Sequence, residues 1–418
     1  MKTKRHRIVW RILLCVFVIL VAAALTFMHF GGFNTGKSAN SEQLKTYAQD
    51  VDQISIPTNV KVIALGEATH GNAEFQQLKL DVFKNLVEND GVRAFAIEGD
   101  FGGCEQVNRY IHGGEGTAQE AAAAIGFQIY QTDEMAELIA YMREYNASAP
   151  VGEDLRFYGF DMQQYMSSLN LLVEASKANG VDTTQLEGMV NGEDWNETYD
   201  NTARADIITQ AKTKLENIEN TEQAVHAADM LVQYLKLNTQ MTTDPNAGMD
   251  LRDAFMAENV QWILQQEQSI GKDKIFIAGH NSHVAKWGSY DAMGKILEDA
   301  LGNDYYVIGT DFYKTKCNLP TPSGKRTNQV FYSHDPLAKA AKEAGLAICW
   351  LDFSQIPEDS ELGNQVREYS FMGNLGEQYS PIMRLLPPSY RMFQPPAQLY
   401  DSMILVTDAT PTTIHTEE

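Results

Sequence analysis

The chain has 418 residues, is 44% apolar and carries a formal charge of −22, so it has material for a sizeable core. Removing the five basic residues of its leader (Lys2, Lys4, Arg5, Arg7, Arg11) leaves −27, a surface that repels nucleic acid and anionic lipid headgroups. Beyond the leader only Cys104, Cys317 and Cys349 remain, which excludes a disulfide scaffold and leaves room for one bridge, such as Cys317 to Cys349.

The leader (1–30) joins the basic "MKTKRHR" to the unbroken apolar run "ILLCVFVILVAAALTFM" at 12–28, and no acid occurs before Glu42. Its length reads as an uncleaved membrane anchor, with a long signal segment as the alternative. Either way the basic end stays in the cytoplasm and the rest of the chain is expected outside the cell membrane. Residues 31–44, including "GGFNTGKSANS", read as a flexible linker.

From residue 45 to 418 the chain is long enough for one large domain or two. Its strand candidates are "VKVIAL" (60–65), "AFAIE" (94–98), "LRFYGF" (155–160), "KIFIAG" (274–279), "YYVIGT" (305–310), "AICWLDF" (347–353) and "MILVTD" (403–408). Such near-continuous apolar runs suit strands covered on both faces. Between the first two, Phe75, Leu78, Val82, Phe83, Leu86 and Val87 recur at helical spacing, which gives a β-α-β unit. The fold class is therefore α/β, a mainly parallel sheet flanked by helices. Residues of about 164–270 are rich in Ala, Leu, Gln, Glu and Lys, and predict an inserted block of three or four helices beside the sheet. The tail "TPTTIHTEE" is expected to fray.

Ligands of open parallel sheets bind at the carboxyl ends of the strands. The unusual polar residues of this chain follow those ends: Glu67 and His70 after the first run, Glu98 and Asp100 after the second, Asp161 after the third, His280 and His283 after the fourth, Asp311 after the fifth. Each has a bland reading. Thr69 serves as a helix N-cap and Glu74 as a first-turn acid, and His70 alone is as readily a hydrogen-bonded turn residue as a catalyst. Glu98 is harder to set aside, because an acid ending "AFAI" is costly to bury unless paired or used. His280 and His283, three apart, suit metal ligation, substrate hydrogen bonding or simple capping equally well.

The chain lacks G-x-S-x-G, H-E-x-x-H, a phosphate loop and G-x-G-x-x-G after the first strand. What remains is a carboxylate and imidazole site suited to activating water.

The segments "LGEATHGNAEFQQLKLDVFKNLVENDGVRAFAIEGDFGGCEQVNRYIHGGEG", "RFYGFDMQ" and "GHNSHVAK", in this order, resemble the erythromycin esterase family, and "YDSMILVTDATPT" resembles its final strand. These are hydrolases that open macrolide lactones, with many relatives of unassigned substrate. The resemblance implies that His70 is the general base, that Glu67 and Glu98 orient or polarise the site, and that Glu74 and Lys79 support it. It further implies that His280 and His283, with Asp161, bind substrate, and that Lys79 or a protonated histidine steadies the oxyanion. No cofactor follows from it, although a divalent ion at His280 and His283 stays open. The leading expectation is a membrane-anchored hydrolase of a small-molecule ester with a role in antibiotic resistance. The alternatives are a metal-dependent hydrolase of an acylated envelope component and a non-catalytic surface protein that binds a macrolide or glycan.

Overall fold

Val62–Glu67 forms β1, and all six of its residues are buried, as its continuous apolar run requires. It lies at the centre of the sheet in a computed structural model that describes residues 2–29, 32, 37–191, 200–288, 290–384 and 386–415. The other strands are β2 (Ala94–Asp100), β3 (Arg156–Asp161), β4 (Ile275–His280), β5 (Tyr305–Pro320), β6 (Arg326–Tyr332), β7 (Ile348–Asp352), β8 (Ser370–Gly373), β9 (Arg391–Gln394) and β10 (Ser402–Ala409). The main sheet runs in the order β3-β2-β4-β1-β5-β10-β7. β7 pairs antiparallel with β10 and the other neighbours along this path are parallel. The class is thus the mainly parallel α/β sheet that the apolar runs predict.

Side-chain alternation splits the interior in two. Val62, Ala64, Ile275, Ile277 and Val307 face one core, whereas Ile63, Leu65, Phe276, Ala278 and Ile308 face the other. Burying each large apolar side chain contributes roughly 1.5–3 kcal/mol. The helix Ala73–Asn89 joins the second core through Phe75, Leu78, Val82, Phe83 and Leu86. It stops at Asp90, just before Gly91 takes φ +71°.

The 164–270 segment contains, among the described residues, five helices where three or four were expected: Met166–Ala178, Thr184–Val190, Asn201–Leu215, Glu222–Thr243 and Pro245–Ser269. The last is started by Asp244, whose carboxylate accepts from the amides of Asn246 and Ala247, with Pro245 in the first turn. Its apolar stripe of Met256, Val260 and Ile263 seats on the first core. That contact carries its upstream turn over the carboxyl ends of the strands.

Several expectations need correction. β5 continues ten residues beyond its expected end and forms an antiparallel hairpin with β6. Past Phe312 its residues alternate between buried and solvated positions, so it shows no continuous apolar run. The β8–β9 pair is equally invisible as an apolar run. Of the linker, residues 31 and 33–36 lie outside the described residues, whereas Ala39 and Leu44 are buried and the Ala39 amide donates to Pro336 O at 3.0 Å. The tail does not fray up to residue 415: Pro411 bridges Asn72, Thr412 is buried and the His415 amide donates to Gln131 O at 2.7 Å. Residues 416–418 lie outside the described residues. Cys317 and Cys349 are free thiols in different cores, on opposite faces of the sheet, so no bridge joins them.

Candidate active site

The two glycines of "GEATHG" are there because other chain segments press against them. A Cβ on Gly66 would meet Asn281 Oδ1 at 2.2 Å, and one on Gly71 would meet Asn318 O at 2.4 Å. Asn281 uses that access to tie the strand ends, donating to Thr310 O at 2.7 Å and accepting from the Thr310 amide at 3.2 Å. Thr69 is not the N-cap of the next helix. That position belongs to Asn72, and Thr69 Oγ1 instead accepts from the Gly71 amide at 3.2 Å.

This turn points His70 back at the strand it follows. Its Nδ1 is bonded to Glu67 Oε1 in a short contact, while Glu67 Oε2 accepts from Lys79 Nζ at 2.7 Å. Lys79 is held further by Gln76 Oε1 at 3.0 Å, and Gln76 Nε2 donates to His70 O at 3.2 Å. Burial pushes the Glu67 carboxyl up, but Lys79 and His70 together pull it down to about 2. For His70, burial alone would lower the pKa. The charge and hydrogen bond of Glu67, with Glu98 and Glu377 beyond it, outweigh burial and hold the imidazole above its usual value.

The register of β1 on β4 sets Glu67 opposite His280, so the second histidine arrives at the same level. The His70 and His280 rings lie 5.2 Å apart. His280 Nε2 contacts Leu375 O at 3.0 Å and Nδ1 contacts Ser282 Oγ at 2.7 Å, which fixes the Nε2–H tautomer. Burial, then the neighbouring His70 and His283, lower its pKa to about 3, so it is neutral.

A second charged arm lies beside the first. Glu98 Oε2 accepts from the His280 amide at 2.9 Å, and Glu98 Oε1 accepts from Arg252 Nη2 at 2.7 Å. Burial opposes the Glu98 carboxylate, but His283, Arg252 and His70 hold its pKa well below the usual carboxylate range. Arg252 also grips Asp161 through Nε at 3.2 Å and through Nη2. His283 Nδ1 bonds Asp253 Oδ1 at 2.6 Å, and Arg252 Nη1 meets His283 Nε2 at 3.2 Å. Burial and Arg252 oppose a charge on His283 while Glu98 and Asp253 favour it, and its pKa is raised. The guanidinium contact is a hydrogen bond only when Nε2 is unprotonated, whereas Glu98 Oε1 at 3.6 Å from Nε2 favours the charged ring.

His70, Glu98, Asp161, Arg252, His280 and His283 line one cavity of about 1150 Å³. Its outer wall comes from the 320–324 turn and the 374–389 segment, including Tyr379, Ser380 and Met383. Glu67 and Lys79 stand directly behind His70 and do not line it. Both oxygens of Glu74 are taken by Thr410, at 2.7 Å from its amide and 2.7 Å from its hydroxyl, so Glu74 fastens the C-terminal segment. Asp100 caps the helix Phe101–Ile111 through the Gly103 amide, and burial pushes it up to about 7. Asp311 faces Asp335 and the Gly373 amide, away from the cavity. Among the described residues no cluster of three or more His, Cys, Asp and Glu forms a metal set. At His280 and His283 every ring nitrogen already has a partner, and one of those partners is a guanidinium.

Arg252 and Asp253 escaped the sequence reading. Their signal was the helical stripe itself: two charged residues in register with the buried Met256, Asn259, Val260 and Ile263, on a face that otherwise goes into the core. Tyr130, whose hydroxyl donates to Glu98 O at 3.0 Å, had no comparable signal.

A profile described as erythromycin esterase matches residues 87–409, beginning after the "GEATHG" turn. Erythromycin esterase type II from Escherichia coli is 26% identical over 362 residues, covering 74% of this chain and 84% of that protein. Among solved structures, a Bacillus cereus protein superposes with a TM-score of 0.73 at 18% identity, over 90% of this chain and 98% of the other. An erythromycin esterase mutant in its open conformation superposes with a TM-score of 0.58 at 14% identity, over 86% and 93% respectively. At these identities both structural likenesses speak for the fold.

Proposed function

This chain belongs to the erythromycin esterase family, a family of hydrolases, and we propose that it hydrolyses a carboxylic ester with His70 as the general base. The observation that carries this reading is the Lys79–Glu67–His70 relay at the cavity. Glu67 fixes the Nδ1 proton of His70 and leaves Nε2 to take a proton from water.

In this reading a water held at His70 Nε2 attacks the ester carbonyl, and its proton passes to the imidazole. The Glu67 carboxylate stabilises the imidazolium that forms, as a buried carboxylate does behind a catalytic histidine. His70 then returns the proton to the leaving alcohol, so the acid and the alcohol together contain the added water. The oxyanion falls to Arg252, which lines the cavity and has one of its five N–H donors left after Glu98, Asp161 (twice) and His283 take four. Lys79 is turned towards Glu67 and Gln76, and so serves the base rather than the oxyanion. A macrolide lactone is one ester the cavity has volume for, and opening it would give a role in antibiotic resistance.

The helix Lys2–His29 has an apolar stretch, Val9–His29, of 21 residues, long enough to cross a bilayer and with no residue of its most apolar window buried in the domain. We take it as an anchor that holds the domain outside the cell membrane, which also brings acylated envelope components within reach.

The test is mass spectrometry of erythromycin and a panel of simple acyl esters incubated with the full chain, wild type beside His70→Ala. A gain of one water on the macrolide, seen with wild type alone, supports lactone opening by His70. Cleavage of simple esters with erythromycin untouched retains the chemistry and moves the substrate to the envelope. Equal cleavage by His70→Ala, or none by wild type, rejects the proposal.

A further inference from the structure

The C-terminal end of the apolar helix packs against the domain. Arg391 Nη1 donates to Met28 O at 3.0 Å, and the helix end comes against the Pro387–Tyr390 turn. The same guanidinium donates to Tyr332 O at 2.9 Å and to Tyr390 Oη at 2.9 Å, so one side chain joins the helix end, the β6 end and the turn.

The surface around this junction is unusually apolar for a domain of such negative charge. Ile382 is 53% exposed and Leu386 40%, on the same short segment, and Tyr332 at the β6 end and Tyr369 and Phe393 at the β8–β9 pair are exposed as well. Phe393 packs on Phe371, with ring centroids 4.8 Å apart, and a Cβ on Gly32 would meet Phe371 at 3.2 Å. The chain leaving the helix therefore passes against this hairpin. Among the cations here, Arg384 lies over the Tyr379 ring at 5.8 Å and the buried Arg391 over the Tyr390 ring at 4.8 Å, with the exposed Tyr332 bonded to Arg391 through its carbonyl. Aromatic rings with arginines at the end of an apolar helix are the composition of a membrane–water boundary.

We propose that this face, formed by the 379–393 segment and the neighbouring β6 end, rests on the bilayer surface. The proposal builds on the anchor reading above and commits to lipid as the occupant, because the face is continuous with the point where an apolar helix long enough to span would leave the membrane. It bears on substrate entry: Tyr379, Ser380, Met383 and Ser389 of this segment wall the catalytic cavity. The cavity then opens beside lipid headgroups, and the substrate class it favours is an amphipathic ester partitioned into the membrane boundary.

The experiment uses the full chain with Cys15→Ser, the other three cysteines being buried. A single cysteine is placed at Ile382→Cys, at Leu386→Cys, or at Val151→Cys as a fully exposed control before β3, labelled with an environment-sensitive fluorophore. Each protein is reconstituted into phosphatidylcholine vesicles carrying a spin label near the headgroup. Labels at 382 and 386 should be quenched at least threefold more strongly than the label at 151. Equal, weak quenching at all three sites, in protein that still floats with the vesicles after an alkaline wash, overturns the resting face while leaving the anchor intact. Protein that fails to float overturns the anchor, and the resting face with it.

Discussion

Asp253 holds the Nδ1 proton of His283 at 2.6 Å, and the same Asp253 oxygen accepts the Met293 amide at 3.0 Å. One buried carboxylate from the inserted helices thereby fixes which ring nitrogen of a cavity histidine carries the proton, leaving the other to face Arg252. The other oxygen, Asp253 Oδ2, has no hydrogen-bond partner among the described residues, so a modest change at this side chain is not absorbed there.

Asp253→Asn should therefore scramble the His283 tautomer while keeping the shape of the site. Losing a hydrogen bond to a charged partner costs roughly 1.5–3 kcal/mol, which is roughly 10- to 100-fold in turnover. The loss should fall on kcat with KM nearly unchanged, in steady-state kinetics on whichever ester the wild type cleaves. A rise in KM at constant kcat would place His283 in substrate binding alone.

The strands that carry the site were legible because both of their faces are buried, and that burial writes itself as continuous apolar runs. Glu67, Glu98 and His280 stood out as polar residues closing such runs. Arg252 and Asp253 did not, because a helix in a long polar-rich insertion offers many charged residues, and only the packing shows which of them point inward. The cavity's outer wall from 374 to 389 was illegible for another reason. It is mostly irregular chain, positioned by long-range contacts such as the Leu375 amide donating to Ala68 O at 2.8 Å. Glu74 illustrates the reverse: it is legible as a first-turn acid, whereas its partner Thr410, 336 positions away in sequence, carries no signal.

Glu67→Gln tests the relay. The carboxylate is the main force raising the His70 pKa against burial. Its removal should move the acidic limb of the kcat/KM profile to lower pH, because a less stabilised imidazolium gives up its proton sooner. Plateau activity should drop by roughly 10⁴-fold, as when the carboxylate behind a catalytic histidine becomes an amide. The single variant also strands Lys79, a buried ammonium whose partner is gone, at a cost of roughly 3–5 kcal/mol. Glu67→Gln with Lys79→Met should recover most of that stability in thermal unfolding without restoring the limb. An unmoved limb in both variants would show that the titration belongs to another group.

His226 supplies a pH dependence that is independent of catalysis. It stacks on Trp262, with ring centroids 3.7 Å apart, and touches Phe101 edge-on at 4.8 Å. Burial, aided by Lys212, lowers its pKa to about 3, against 6.5 for the exposed ring. Between those values the unfolded chain binds a proton that the folded chain refuses, so this residue's contribution to stability falls as the pH drops from about 6.5 towards 3. The slope approaches about 1.4 kcal/mol per pH unit for one group. Buried carboxyls such as Asp335, raised to about 7, act in the opposite direction over part of this range, so wild-type stability alone does not isolate the effect. The difference between His226→Phe and wild type does, since every other group is common to both. That difference should grow in favour of the phenylalanine variant as the pH is lowered from 7 to 4, read as Tm by calorimetry. A pH-independent difference would mean that the ring is protonated in the fold, with its charge held by a partner the packing does not reveal.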